Sequence, residues 1–307
     1  MRPVVTVPDP RWTGLWPDGE EPVELTIWDL ESACPVDPVL VVLPYMHASP
    51  GLHRLRELGS LQVVQTLTAG YEDVLPALPD GVTLANGAGI HDSSTAELAV
   101  GLAIAGLRGL GDFARAQPAG RWIPSTRTSL ADRRVLLIGA GSVGGAIADR
   151  FAPFEVTLTR VASRARDDDR GHVHGVDELP RLLPDAEVVV LACPLTEATR
   201  GLVDAAFLAA LPDGALLVNV SRGPVVVTGA LLAELTSGRL SAALDVTDPE
   251  PLPADHPLWN APNLLISPHV GGNSTAFPSR GRRLLVDQLG RLGSGRPLRN
   301  VVAGPPR

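Results

Sequence analysis

The chain alternates short, mostly apolar runs with turn residues from its first positions onward. Runs of strand length fall at 4–7, 23–28, 39–43, 61–66 and 82–86, bounded by Pro, Asp, Gly and Ser. Strands that are apolar along their whole length suit a parallel sheet covered on both faces. A weaker helical pattern lies at 51–58. Asp92-Ser-Ser-Thr95 is an N-cap cluster and predicts a long helix over 95–115. That helix is rich in Ala, Leu and Gly and nearly free of charge, which marks it as buried. After a turn-rich stretch at 117–132 a second series begins. Its strands are predicted at 134–138, 156–159, 186–192, 215–220, 241–246 and 264–267, and its helices at 143–151, 205–210 and 229–237. This alternation is the pattern of a doubly wound α/β domain. A last helix is predicted at 279–293, and GRPLRNVV after it can return to the first series. The charge run at 164–170 reads as a solvated loop.

Length and composition narrow the function classes. A chain of 307 residues suits one large or two ordinary domains, and 45% hydrophobic residues suffice for real cores. A net charge of −8 with no basic stripe argues against nucleic acid as a partner. No apolar stretch reaches the roughly 18–20 residues of a membrane span, and the N-terminus lacks the apolar region of a secretory signal. Cys34 and Cys193 are the only cysteines, which points to a reducing cytoplasm and to neither a disulfide framework nor a metal cluster. The chain contains no lysine; all 26 basic residues are arginines. Schiff-base and P-loop chemistry are thereby excluded.

The first strand of the second series, RRVLLI, runs into Gly139-Ala-Gly141-Ser142-Val143-Gly144 and then into a helix. In that context a GxGxxG run is a dinucleotide fingerprint. The first glycine permits the tight turn, the second lets backbone approach a pyrophosphate, and the third lets helix pack on strand. An NAD site usually carries an acid about 20 residues on, at the end of the next strand. Here that region reads EVTLTRVASRAR, and Arg160 stands at the expected position, with Ser163, Arg164 and Arg166 behind it. Arginines there suit a 2′-phosphate. The expected cofactor is therefore NADP(H), with NAD(H) possible, and no metal is expected.

LLVNVSRGPVVV raises a separate question, because one guanidinium interrupts a long apolar run, and a buried unpaired cation is very costly. Arg222 must therefore stand at a strand end or meet an anion. Open α/β sheets bind ligands beyond the carboxyl ends of their strands. Three polar residues follow predicted strands there: Arg222, Glu250 in DVTDPEPLP, and His269 in SPHVGG.

The stretches LIGAGSVG, LACPLTEATRGLV, LLVNVSRGPVV, ALDVTDPEPLP and ISPHVGG, in this order and spacing, resemble the D-isomer-specific 2-hydroxyacid dehydrogenases over nearly the whole chain. The resemblance implies a Rossmann-type doubly wound domain at 97–279. It also implies a smaller flavodoxin-like α/β substrate domain at 1–96 with a C-terminal return at 280–307, and an active site in the cleft between them. It makes Arg222, Glu250 and His269 catalytic. It assigns Asp245 to the nicotinamide amide, and lines the cofactor with Cys193, Val220, Ser221, Arg222 and the run His269 to Gly271. TLTAGYEDV resembles the family's carboxylate-binding loop, with Ala69 and Gly70 as amide donors. Glu72 stands where relatives commonly have Asp. Trp122 resembles an aromatic near a neighbouring subunit, which implies a homodimer. His91 reads as a cap-region residue, and His47, His53, His172, His174 and His256, without family matches, as structural or exposed. Side-chain specificity falls to the loop at 45–49, Trp259 and Phe277.

The implied activity is NAD(P)H-dependent reduction of a small 2-oxo acid, such as glyoxylate or hydroxypyruvate, to the D-2-hydroxy acid, and its reverse. A non-catalytic dinucleotide sensor on the same scaffold is the competing reading, and the Arg–Glu–His set argues against it. Glu250 disfavours a formate enzyme, whereas a phosphite dehydrogenase stays open.

Overall fold

The computed structural model describes residues 2–17, 19–46 and 49–304. His47 and Ala48, within the specificity loop expected at 45–49, lie outside the described residues. The first strands are β1 (Val4–Val7), β2 (Glu24–Ile27), β3 (Leu40–Val42), β4 (Val63–Gln65) and β5 (Thr83–Ala85). Helices α1 (Asp92–Arg108) and α2 (Leu110–Ala116) follow. Next come β6 (Arg134–Ile138), α3 (Ser142–Phe151), β7 (Thr157–Ala162), β8 (Arg166–Asp168) and β9 (Gly171–Gly175). A short α4 (Leu179–Leu182) leads to β10 (Val188–Leu191), α5 (Ala205–Ala209), β11 (Leu216–Asn219), α6 (Thr228–Ser237) and β12 (Ser241–Leu244). The chain ends with β13 (Leu264–Ile266), α7 (Phe277–Gly293) and β14 (Val301–Ala303). None of the described helices is long and apolar enough to cross a membrane.

The chain divides into two compact units, Met1–His91 with Thr275–Arg307, and Asp92–Ser274. In the first, the sheet order is β14-β5-β4-β3-β1-β2, parallel throughout except for β14. The parallel strands follow the flavodoxin-like order. Alternation along a strand splits the core in two. Leu40 and Val42 pack with Val5, Val7 and the α7 residues Phe277, Leu285 and Leu289. Val41 and Leu43 face the other way, with Leu52, Leu55 and Leu84. Residues 51–58, read as weakly helical, lie mostly within a 3-10 stretch, Ser49–Glu57.

The second unit carries the order β13-β12-β11-β10-β6-β7-β9-β8, in which only β8 runs antiparallel. This is the Rossmann order, reversing direction between β6 and β10. The same alternation covers both faces. Val135, Leu137, Val188, Val190, Leu216 and Val218 pack under α1 and α3, and Leu136, Ile138, Val189, Leu191 and Leu217 pack under α5 and α6. The long helix expected at 95–115 is two helices. Gly109 sits between them at φ +63°, in the left-handed region that glycine adopts without strain.

The charge run at 164–170 is exposed throughout, as expected of a solvated segment, but it is not all loop. Arg166–Asp168 forms strand β8, hydrogen-bonded antiparallel to β9 at the sheet edge. The edge is therefore a charged one, a common means of blocking further strand addition.

Candidate active site

The glycine-rich turn follows β6 at the point where strand order reverses. Gly139 has φ +117°, and a Cβ there would lie 2.5 Å from the carbonyl of Ala192. A Cβ on Gly144 would lie 1.8 Å from the carbonyl oxygen of Gly139. Both positions therefore demand glycine for close packing. At Gly141 a Cβ would meet nothing within 4 Å, so the glycine there borders open space. Gly141 is the N-cap of α3 and contributes no side-chain cap. The helix thus presents backbone N–H groups of its first turn, Ser142 and Val143 included, with the positive end of its dipole. An open glycine cradle before an uncapped helix fits the pyrophosphate of a dinucleotide.

Cys193 lies just past β10, beside this turn. Its thiol is buried, which pushes its pKa up to about 11, with the Ser221 hydroxyl nearby. It is a packing residue at ordinary pH. Val220 and Ser221 are buried at the end of β11.

Arg160 is not where the cofactor reading requires it. It lies inside β7, two residues before the strand ends, and its side chain is only 5% exposed. Its guanidinium donates to both carboxylate oxygens of Asp168, at 2.7 and 2.9 Å, and to the carbonyl of Gly171 at 2.9 Å. The pair holds the Asp168 carboxyl down at about 2. Arg160 is thereby corrected to a clamp between β7 and the β8–β9 hairpin; a buried cation found its anion inside the fold. The residues beyond the strand end are Ser163 and Arg164, both exposed. Arg166, also exposed, donates to the carbonyl of Ala140 at 2.9 Å, within the glycine-rich turn.

The three strand-end residues hang from neighbouring parallel strands β11, β12 and β13. Arg222 stands three residues beyond β11. Asn219, 1% exposed, fixes that turn: its amide donates to the carbonyl of Arg222 at 3.1 Å, and its oxygen accepts from the Ser221 N–H and hydroxyl. Gly223 follows because a Cβ there would lie 1.8 Å from the carbonyl oxygen of Thr247. The guanidinium of Arg222 donates to the carbonyl of Ser221 at 2.8 Å.

His269 and Glu250 meet directly. Nδ1 of His269 lies 2.5 Å from Oε1 of Glu250, both side chains being partly exposed. His269 has φ +53°, which is costly for a residue with a side chain. Asp245 sustains that turn. Its carboxylate accepts from the Ser267 hydroxyl at 2.6 Å and from the N–H groups of Val270 and Gly271 at 2.9 and 2.8 Å. Its backbone carbonyl accepts from His269 N–H at 2.8 Å. Three of the about four acceptor sites of a carboxylate thus serve this loop. β11 and β13 flank β12, so about 10 Å separates the strands that carry Arg222 and His269.

In the first unit, the loop carrying Ala69 and Gly70 is braced through its carbonyls. Asn86 donates to Ala69 at 2.6 Å, the Thr68 hydroxyl to Gly70 at 2.6 Å, and Gly87 N–H to Thr68 at 2.7 Å. Glu72 bonds the N–H of Tyr71. His91 directly precedes α1, in the cap region as expected, and is buried there, with Nε2 2.8 Å from the carbonyl of Leu67 and its ring against Tyr45 and Phe277. His256 caps a 3-10 turn through Leu258 N–H. The indole of Trp259 donates to Pro253.

Asn219, Gly223 and Ser267 were missed at the level of sequence. Their signal was present: a polar residue at or just past the end of an apolar strand, or a glycine directly after the arginine.

Residues 100–271 match the family model for the NAD binding domain of D-isomer specific 2-hydroxyacid dehydrogenases. A human glyoxylate reductase/hydroxypyruvate reductase is 33% identical over 69% of this chain and 68% of its own length. A D-isomer specific 2-hydroxyacid dehydrogenase from Xanthobacter autotrophicus Py2, solved with NADPH and MES, matches at 28% identity. It covers 99% of this chain and 98% of its own, with a TM-score of 0.80. An NADPH-dependent glyoxylate/hydroxypyruvate reductase from Sinorhizobium meliloti, solved with NADP and malonate, matches at 26% identity and a TM-score of 0.81, covering 99% and 98% of the two chains. With the dinucleotide cradle and the strand-end residues in place, the matches leave one assignment: the chain belongs to the D-isomer specific 2-hydroxyacid dehydrogenases, enzymes that use a nicotinamide dinucleotide.

Proposed function

We propose that this enzyme reduces a small 2-oxo acid of the glyoxylate or hydroxypyruvate type to the D-2-hydroxy acid with NADPH, and catalyses the reverse oxidation. The observation that carries the reading is the pair His269–Glu250, held at 2.5 Å beyond adjacent strand ends. An imidazole whose Nδ1 faces a carboxylate has its orientation fixed and offers Nε2 for proton exchange. His269 therefore holds the proton that the carbonyl oxygen needs as it gains charge, and accepts it back in the oxidation. Arg222 binds the substrate's carboxylate and ketone through its planar fork, which orients the acid and polarises the carbonyl. The backbone amides of Ala69 and Gly70 are read as further donors to a substrate carboxylate. When bound, the nicotinamide supplies the hydride. Gly139, Gly141, Ser142, Val143 and Gly144 would hold its pyrophosphate, and Val220, Ser221, Cys193, Asp245 and Gly271 would line it.

Preference for NADPH rests on Ser163, Arg164 and Arg166, which follow β7 and include a guanidinium already bonded to the glycine-rich turn. The names of the human and Sinorhizobium relatives support the substrate class. A homodimer formed through the segment around Trp122 belongs to the same reading. That indole is 92% exposed, and Phe113 and Ile123 near it are exposed in part, the kind of apolar surface a partner subunit can cover.

The test is a panel of 2-oxo acids run with both NADPH and NADH. Turnover of glyoxylate or hydroxypyruvate with NADPH preferred is expected. No turnover of either acid, or preference for NADH, would overturn the corresponding half of the reading.

A further inference from the structure

Along β9 every second side chain points to one side, which brings His172 and His174 together with ring centroids 4.6 Å apart. Glu178, three residues past the strand, reaches back. Its carboxylate accepts from Gly175 N–H and lies 3.0 Å from Nδ1 of His174. One donor atom from each of His172, His174 and Glu178 lies within 4.8 Å of the others. Across the hairpin, Oδ1 of Asp167 lies 2.9 Å from Nδ1 of His172. None of these residues enters the proposed chemistry.

We propose that His172, His174 and Glu178 form a binding site for a divalent transition-metal ion of the zinc type, distinct from the catalytic residues. Two imidazoles and one carboxylate are a donor set for zinc, cobalt or nickel, whereas magnesium and calcium prefer oxygen alone. Tetrahedral ligands on bonds of roughly 2.0–2.2 Å stand about 3.4 Å apart. Partly exposed side chains reach that spacing by small rotations. A ligating imidazole commonly presents its other nitrogen to a carboxylate, and Asp167 is so placed against His172. Arg181 now pairs with Glu178; its side chain is 68% exposed, so a doubly charged ion replaces it without leaving it buried. The ion ties β9 to the turn that follows it. It thereby stiffens the β8–β9 hairpin, which carries Asp168, the partner of Arg160, and Arg166, the partner of Ala140. The site is a structural clamp at the edge of the second unit's sheet.

Tag-free protein stripped with a chelator tests this by calorimetric titration with zinc chloride, and by the visible spectrum of added cobalt(II). One ion per chain, a tetrahedral cobalt spectrum and a zinc-dependent rise in Tm are expected. His172→Ala and His174→Gln should each weaken binding by more than about 10-fold, and Asp167→Asn by about 10-fold, with circular dichroism unchanged. Absence of saturable binding, or undiminished affinity in both histidine variants, would overturn the proposal.

Discussion

Nδ1 of His269 and Oε1 of Glu250 stand 2.5 Å apart, although 19 positions separate them in the chain. The contact joins the loops that follow β12 and β13, and it commits Nδ1 to the carboxylate. In the proposed function, proton transfer then falls to Nε2. His269→Ala should lower kcat by roughly 10²–10⁴-fold, the usual contribution of general acid–base catalysis. Binding of the dinucleotide, followed by fluorescence titration, should be unchanged. Glu250→Gln keeps a side chain of the same size but removes the charge, and its loss of kcat should be smaller than that of His269→Ala.

Arg222 is set by Asn219 on one side and Gly223 on the other. In the proposed function its fork, rather than its charge alone, is the feature that meets the substrate. Arg222→Lys should therefore fail to rescue activity, because an ammonium cannot make the paired, planar contact. Loss in kcat/KM by roughly 10²–10³-fold is expected for both Arg222→Lys and Arg222→Ala, the scale of removing one preorganised donor. Near-normal kcat/KM in the lysine variant would show that a point charge suffices.

Cofactor choice should follow the residues beyond β7, not Arg160. Arg164→Ala combined with Arg166→Ala is expected to raise KM for NADPH by about 10-fold or more while leaving KM for NADH nearly constant, since the proposed function gives these arginines a charge-assisted bond to the 2′-phosphate. Steady-state kinetics with both cofactors decides it. Arg160→Leu should instead lower Tm without a selective change in the cofactor ratio.

The Arg160–Asp168 pair also sets a pH dependence. In the folded chain the Asp168 carboxyl titrates at about 2, against an ordinary value of 3.8, because it accepts hydrogen bonds from the Arg160 guanidinium. A folded value below the unfolded one means that the carboxylate stabilises the fold above about pH 4, and that this contribution is lost as pH falls toward 2. Asp168→Asn should be less stable than the parent at pH 7, with the difference shrinking on acidification. Thermal melts across that range measure it.

Burial raises the Cys193 thiol to about 11 and also raises that of Cys34. Both remain neutral thiols near pH 8, and the thiolate is the reactive form. Iodoacetamide at pH 8 should leave Cys193 unmodified in the native protein and modify it once the chain is unfolded. Mass spectrometry of the labelled peptides reads the outcome.

Much of this protein follows from local order along the chain. The period of apolar residues is a property of neighbours in sequence, so β1 and β6 lie where the pattern places them, and most other strands are trimmed by only a residue or two at their ends. The glycine-rich turn is local at Gly144, where a Cβ would meet the carbonyl oxygen of Gly139 in the same turn, whereas Gly139 itself answers to the chain just past β10. The strand-end positions of Arg222, Glu250 and His269 were legible for the same reason. Charge partners are a different matter. Arg160 was read as a ligand residue because the sequence shows a guanidinium and not its partner. Only the pairing of β7 with β9, and the folding of β8 back upon it, brings Asp168 to it. The same hairpin gathers His172, His174 and Glu178, which look unremarkable in sequence. The left-handed turn at His269, held by Asp245 from the neighbouring strand, is likewise decided by tertiary structure. Apolar burial needs only the right period, whereas a bond between two charged groups needs strand order and register, and those are settled between segments far apart in the chain.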